Sequence, residues 1–297
     1  MQREGLKKYL DGLFERAIAS RKRIQGDWPL SSVHRNANIA AIKGGACAVP
    51  VGDNRILCRV LNRYKMFVDA TDKSLAPHLM LDGYWEMWVT EQISQMVKPG
   101  MTCVDVGANL GYFTLLMADL VESRGRVYAF EPNPPIAALL ADSVTVNGFN
   151  DRVEILSCLL EDRNDAYMQL SVPEGYAGGA TMLPPIPGQD IRTLFMTKRM
   201  DSFPELVEAD VIKIDAEGAE YSIWKGMTEI LERGRPLTVF LEFVACRYQE
   251  PAEFLSKLRG AGMDLFYIDP SLGVLPTSID AILNAPETRE FMLLLKR

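Results

Sequence analysis

The sequence is poor in histidine and has no excess of positive charge. Two of its 297 residues are His, and 32 Lys and Arg stand against 39 Asp and Glu, which gives a formal net charge of −7. Proteins whose main function is to bind nucleic acid usually present a basic surface to the phosphates. We therefore expect no nucleic acid among the partners. A base for catalysis must come mainly from carboxylates, with His78 as the alternative.

Paired cysteines and long apolar runs are also missing. The five cysteines are widely spaced and contain no C-x-x-C pair, which is typical of reduced thiols rather than of a disulfide framework or a zinc site. No apolar run approaches the roughly 18 residues that a membrane-spanning helix needs, and the N-terminus lacks the apolar core of a signal peptide. The sequence thus predicts a cytoplasmic protein with no transmembrane segment.

Residues 1–85 form a zone of their own in the sequence pattern. Apolar and basic residues recur at helical spacing over residues 1–25, which predicts an amphipathic helix. Docking on the protein itself or on a second subunit, as in a homodimer, is the favoured interpretation, and contact with an anionic surface or membrane is the alternative. Short β-like runs follow at 47–51 and 66–69. We predict a small N-terminal helical and β appendage that contacts the acceptor or a second subunit.

A larger domain is predicted for residues 86–297, where helices alternate with short apolar strands. This alternation is the signature of an α/β fold. Two extra strands are predicted at 167–172 and 194–200, and the Gly/Pro-rich stretch between them either covers an acceptor pocket or forms a surface insertion. The main strands fit a doubly wound, mostly parallel, seven-stranded sheet; they lie at 101–106, 126–130, 152–157, 211–214, 237–243, 265–268 and 291–295.

A glycine-containing turn follows the first of these strands. Asp105 stands near the strand end, and Gly107 and Gly111 bracket a short turn before a helix. Glycines let a ligand approach the backbone, and a helix N-terminus offers free N–H groups to a carboxylate. The turn differs from the dinucleotide pattern G-x-G-x-x-G because Asn109 occupies its middle. The pattern therefore favours a nucleotide that bears an amino acid.

An acidic residue ends the second strand. Glu131 follows the apolar run 127–130, twenty residues after Gly111. At this place in a doubly wound sheet a carboxylate can accept hydrogen bonds from both hydroxyls of a ribose. The alternative interpretation is a charged residue that caps the helix beginning at Pro134.

Further carboxylates crowd the ends of the fourth and fifth strands. Asp215, Glu217 and Glu220 follow the fourth strand, and Glu242 lies in the fifth. Open α/β sheets bind ligands at this edge, and paired carboxylates can act as a general base or hold a divalent metal. For Glu217 and Glu220 the alternative is a role at a helix N-terminus.

Three motifs in order resemble the FkbM-type family of class I methyltransferases. They are VDVGANLGYFTL at 104–115, FEPNP at 130–134 and IKIDAEGAE at 212–220, supported by LEF at 241–243 and GYWE at 83–86. The resemblance implies a Rossmann-like fold, S-adenosylmethionine as methyl donor, and as acceptor a hydroxyl of a sugar, polyketide or other secondary metabolite. The acceptor is thus expected to be a small molecule or a glycan.

The resemblance also implies which residues hold the cofactor. The turn residues would surround the methionine half, Glu131 would hold the ribose, and the end of the third strand would flank the adenine. The cofactor-binding set is Glu86, Asp105, Gly107, Ala108, Asn109, Gly111, Glu131, Pro132, Cys158 and Leu159.

Methyl transfer to a hydroxyl needs alignment and a base, because a neutral hydroxyl is a poor nucleophile. We expect Asp215 to be that base, with Glu217 or Glu242 beside it; the alternative is that these carboxylates hold an ion such as Mg²⁺ that acidifies the hydroxyl.

Two other functions stay open. One is a binding or scaffold protein without turnover, and the other is a nicotinamide-dependent oxidoreductase, which the missing dinucleotide glycines disfavour.

Overall fold

The structure is a computed structural model that describes residues 30–173 and 190–297. The predicted amphipathic helix over residues 1–25 lies outside the described residues, as does most of the Gly/Pro-rich stretch. Within the described ranges, no helix is long and apolar enough to cross a membrane.

The described chain alternates helices and strands, with a few short 3-10 turns between them. The α-helices are α1 (Arg35–Gly45), α2 (Ala76–Leu81), α3 (Met87–Met96), α4 (Tyr112–Val121), α5 (Pro134–Asn147), α6 (Glu220–Lys225), α7 (Thr228–Glu232), α8 (Pro251–Gly260) and α9 (Ile279–Leu283). The strands are β1 (Ala48–Gly52), β2 (Arg55–Val60), β3 (Tyr64–Asp69), β4 (Thr102–Val106), β5 (Arg126–Phe130), β6 (Val153–Leu156), β7 (Leu159–Leu160), β8 (Tyr167–Pro173), β9 (Asp190–Lys198), β10 (Val211–Ile214), β11 (Thr238–Val244), β12 (Asp264–Asp269), β13 (Gly273–Pro276) and β14 (Glu290–Lys296).

An eight-stranded sheet forms the centre of the fold, in the order β13-β12-β14-β11-β10-β4-β5-β6. The pairs from β11 to β6 are parallel, whereas β14 runs antiparallel to both β11 and β12. The predicted mostly parallel, doubly wound sheet is confirmed. The sequence analysis missed its eighth strand, β13, because a four-residue edge strand that ends in Pro276 carries almost no alternating pattern.

The sheet separates two hydrophobic clusters. Along β4, Cys103 belongs to one cluster and the next residue, Val104, to the other, since successive side chains of a strand point to opposite faces. Helix α4 covers the first face, and eight of its ten residues are buried. Because both faces are covered, the parallel strands are almost continuously apolar, which is why the sequence predicted them well.

A three-stranded antiparallel meander, β1-β2-β3, precedes the central sheet. Its first turn has Asp53 and Asn54 at positive φ, 50° and 58°, as a two-residue type I′ hairpin requires. The sequence analysis found β1 and part of β3 but missed β2. Val60 and Met66 of the meander belong to the same cluster as residues of α4. The division of the chain at residue 85 stays a prediction.

The predicted extra strands also form. Strand β8 pairs antiparallel with β9, and the short β7 pairs parallel with β9. This hairpin stands apart from the central sheet as a sheet of its own.

The carboxyl ends of β4 and β10 lie side by side where the strand order reverses. Asp215 donates its backbone N–H to the Val106 carbonyl at 3.2 Å. Gly107 has a φ of +73°, and a Cβ atom placed on it would lie 1.8 Å from the Asp215 carbonyl oxygen. Only glycine fits such a contact, so the turn after β4 is fixed against the segment after β10.

Replacing Gly107 with alanine tests how tightly the two strand ends are joined. We expect Gly107→Ala to lower the free energy of unfolding by clearly more than the roughly 1–2 kcal/mol that a left-handed backbone costs an ordinary residue, because the added methyl group also collides with Asp215. Gly148→Ala is the matched control, since Gly148 has nearly the same φ, +74°, and open space around it. Urea denaturation measures both variants, and equal losses would contradict the close contact.

Candidate active site

A cavity of about 420 Å³ opens at the carboxyl edge of the sheet, above the junction of β4 and β10. This is the switch point at which open α/β sheets bind ligands. The cavity brings together eleven of the thirteen residues that the sequence analysis singled out: Glu86, Gly107, Ala108, Asn109, Glu131, Pro132, Cys158, Leu159, Asp215, Glu217 and Glu242.

The other two predicted residues, Asp105 and Gly111, support the cavity from beneath its wall. Asp105 is fully buried, and its Oδ2 accepts a hydrogen bond of 2.6 Å from the Thr114 hydroxyl of α4. Burial raises the pKa of Asp105, while Lys213 opposes the shift. Gly111 caps α4 with a φ of +94° and lies close to the side chain of Leu140. Both residues fix the turn rather than line the cavity.

Glu131 connects the two loops that frame one end of the cavity. Its Oε2 accepts from the Asn109 backbone N–H at 2.9 Å, and its Oε1 accepts from the Asn133 backbone N–H at 2.8 Å. Each carboxylate oxygen has two lone pairs, so each oxygen keeps one for a ligand. Burial raises the pKa of Glu131 to about 7. The bond to Asn133, the residue before α5, also agrees with the helix-cap alternative.

Lys213 places a buried positive charge beside the cavity. Its side chain is 2% exposed, and its Nζ donates to Asp215 Oδ2 at 3.0 Å and lies 3.9 Å from Asp105 Oδ1. Although burial lowers the pKa of Lys213, the neighbouring carboxylates raise it above its usual value. The sequence analysis missed this residue. A lysine between Ile212 and Ile214 was the signal, because a charge in an apolar strand requires a partner.

A second cation, Arg247, holds the other two candidate carboxylates. Its guanidinium donates to Glu217 Oε2 at 2.8 Å and to Glu242 Oε2. Burial and the nearby Asp215 raise the pKa of Glu242, whereas the positive charge of Arg247 lowers it in part. Burial likewise raises the pKa of Glu217. Arg247 lies in a short turn after β11 that carries no recognisable motif, so sequence reasoning had no signal for it.

The remaining carboxylate of the cluster, Glu220, shapes the loop instead of lining the cavity. It is fully buried, accepts from the backbone N–H groups of Ala216 and Gly218 at 2.9 to 3.2 Å, and accepts from the Tyr248 hydroxyl at 2.6 Å. The structure thus agrees with the helix N-terminus alternative for this residue, because Glu220 is the first residue of α6.

Residues before the large predicted domain also reach the cavity. Ser74 and Leu75 line it from the segment before α2, which the buried Asp72 fixes by accepting from the backbone N–H groups of Leu75 and Ala76 at 3.0 and 2.8 Å. Glu86, which precedes α3 with a φ of 34°, lines the same side. Burial raises the pKa of Glu86 to about 7, with a further contribution from Asp215.

The residues at the cavity do not fit a resident metal ion. Within residues 30–173 and 190–297, no group of three or more His, Cys, Asp or Glu is arranged to hold one. The carboxylates nearest the sheet edge are already engaged by Lys213 and Arg247. The Mg²⁺ alternative therefore has no support in the arrangement of side chains.

The chain matches the model of one protein family and is more distantly similar to a curated protein and to several solved structures. One curated relative, the protein-L-isoaspartate O-methyltransferase of Aeropyrum pernix, is 39% identical over 59 residues, which are 20% of this chain and 23% of that protein. The chain thus spans less than a quarter of the length of this relative.

Two of the solved structures with a similar backbone are described as methyltransferases. The O-methyltransferase of Bacillus cereus in complex with SAH is 15% identical, with a TM-score of 0.41 over 71% of this chain and 80% of that chain. The precorrin-6y C5,15-methyltransferase of Geobacter metallireducens is 13% identical, with a TM-score of 0.38 over 69% of this chain and 84% of that chain.

The family model described as the methyltransferase FkbM domain matches residues 105–265, from the cofactor turn to β12. This range is more than half of the chain, and it contains the turn, Glu131 and the IKIDAEGAE segment that carried the resemblance in the sequence. The resemblance is confirmed: the chain belongs to the FkbM family of methyltransferases.

Proposed function

We propose that the protein transfers a methyl group from S-adenosylmethionine to a hydroxyl oxygen of a small-molecule or glycan acceptor. One observation carries this proposal: a single cavity is lined by the turn after β4, by Glu131 and by the Asp215 carboxylate. A site for a nucleotide and a group that can take a proton therefore face the same space.

The cofactor end of the cavity fits the donor. Gly107, Ala108 and Asn109 of the turn line the cavity, so a ligand can lie against the backbone of the turn. Glu131 has a free lone pair on each oxygen for the two ribose hydroxyls, and Cys158 and Leu159 flank the place proposed for the adenine. When bound, S-adenosylmethionine supplies a methyl group on a positively charged sulfur.

Asp215 is the proposed general base. Lys213 binds its Oδ2, which leaves Oδ1 to accept the proton of the acceptor hydroxyl. The methyl group would pass to that oxygen as its bond to the sulfur breaks, which leaves S-adenosylhomocysteine. The proton then passes from Asp215 to water. A positioned base of this kind contributes roughly 10²- to 10⁴-fold to a rate.

Glu217 and Glu242 form the acceptor wall of the proposed site. Both are held by Arg247, so they rank behind Asp215 as bases and instead accept hydrogen bonds from other hydroxyls of the acceptor. Ser74 and Leu75 lie on the N-terminal side of the same cavity, which supports the proposal that residues before 86 contact the acceptor.

A cytoplasmic location is part of the proposal. All five cysteines are free, and Cys58 and Cys103 are buried, as expected of thiols in a reducing compartment. Assembly as a homodimer through residues 1–85 stays a prediction.

A methyl-release assay across hydroxylated acceptors, run with and without EDTA, tests the proposed reaction. We expect transfer to at least one neutral polyol, sugar or polyketide acceptor, unchanged by EDTA because the carboxylates are paired with Lys213 and Arg247. Asp215→Asn should lower kcat/KM by about 100-fold or more while S-adenosylhomocysteine still binds. Asp264→Asn, which alters an exposed ion pair with Arg259, is the control.

Full activity of Asp215→Asn would overturn the proposed base. Tight cofactor binding without transfer to any acceptor would favour the scaffold alternative. Activity that EDTA abolishes and Mg²⁺ restores would contradict the carboxylate pairing on which the metal-free mechanism depends.

A further inference from the structure

Lys213 carries a buried ammonium group that does not itself react in the proposed methyl transfer. It lies on β10 directly opposite Asp105 of β4 in the parallel register, and it is 2% exposed. Its Nζ lies 3.0 Å from Asp215 Oδ2, 3.9 Å from Asp105 Oδ1 and 5.1 Å from the centre of the Phe113 ring. The cation therefore sits between a supporting carboxylate and the proposed base.

Such a burial is costly, because an ammonium loses its hydration and regains stability only from well-placed partners. Asp105 is a shared and distant partner, since its other oxygen binds the Thr114 hydroxyl. Asp215 is the partner within hydrogen-bond distance. The geometry thus ties the position of Lys213 to the position of the Asp215 carboxylate.

Negative charge dominates the surroundings of Asp215. Arg247, the other cation at the cavity, is engaged by Glu217 and Glu242. Lys213 is therefore the cation that faces Asp215 directly. The charged groups around Asp215 are Lys213 from β10, Asp105 from β4, Glu86 before α3, Glu217 from the following loop, Glu242 from β11, Arg247 from the turn after β11 and Glu290 from β14.

We propose that Lys213 is a positioning residue for the methyl transfer: its ammonium binds Oδ2 of Asp215, so that Oδ1 faces the acceptor hydroxyl. This inference rests on the proposed role of Asp215 as base. Without the ammonium, carboxylates would dominate the surroundings of this group, and like charges favour the protonated form of a carboxyl group. A protonated carboxyl cannot accept the hydroxyl proton.

The charge state of Lys213 agrees with this role. The pKa of Lys213 is raised by Asp215 and Asp105 in spite of burial, so the ammonium persists through neutral and mildly alkaline pH. The ammonium is therefore available to hold Oδ2 of Asp215 over the pH range of an assay.

Lys213→Met removes the charge and keeps most of the length of the side chain. We expect the acid limb of the kcat/KM profile to move to higher pH by about one to three units, the size of shift that a neighbouring opposite charge produces. Lys213→Arg keeps the charge and should restore a limb close to that of the wild type. Lys225→Met, which removes a cation from a surface pair with Asp162, is the control and should leave the limb in place.

Asp105→Asn gives a second, independent variant that shifts the limb in the opposite direction. The amide oxygen can still accept the hydrogen bond from Thr114. The carboxylate that competes with Asp215 for Lys213 is gone, so Lys213 then pairs with Asp215 alone. The acid limb should therefore move to lower pH. This variant keeps the inference testable if Lys213→Met fails to fold, which calorimetry with S-adenosylhomocysteine and thermal unfolding would reveal.

The outcomes separate the two proposals. A folded Lys213→Met that loses activity equally at every pH, with its acid limb unmoved, overturns the role of Lys213, as does an Asp105→Asn limb that moves to higher pH. Wild-type activity in Asp215→Asn overturns the base itself. An inactive Asp215→Asn combined with an unmoved limb in Lys213→Met overturns the Lys213 inference and leaves the base assignment standing.

Discussion

The contact between Gly107 and the backbone of Asp215 is the constraint on which the site depends. Since a Cβ atom at Gly107 would lie 1.8 Å from the Asp215 carbonyl oxygen, the turn after β4 and the segment after β10 are packed directly against each other. This contact places the proposed nucleotide site beside the proposed base. Alignment of donor and acceptor is the main task in an in-line transfer, so a rigid junction at this point suits the reaction.

Charge pairing organises the rest of the cavity. Two cations stand among a larger number of carboxylates. The buried Lys213 pairs with Asp215, and the partly buried Arg247 pairs with Glu217 and Glu242. Each pairing leaves part of a carboxylate facing the cavity, where hydroxyl groups can donate to it. The same pairing explains why the carboxylates do not gather around a metal ion. The site thus presents paired carboxylates to the cavity, which fits the proposed proton transfer.

The sequence predicted what local pattern encodes and missed what depends on contacts between distant segments. The parallel strands were predictable because burial on both faces makes them apolar, and Glu131 because it follows such a strand. Strand β2 was missed since its partly exposed residues, with Arg55 and Arg59 among them, break the apolar pattern. Arg247 was missed because its pairing with Glu217 and Glu242 depends on how separate segments fold together. Lys213 did carry a signal, a charge between two apolar residues of a strand, which the sequence analysis did not use.

A crystal structure of the complex with S-adenosylhomocysteine tests the central claim most directly. The account predicts that the ribose hydroxyls lie within hydrogen-bond distance of the Glu131 carboxylate, that the amino-acid end lies over the turn at Gly107, and that the sulfur faces Asp215. A ribose bound away from Glu131, or a sulfur turned away from Asp215 toward the outer surface of the cavity, would contradict it.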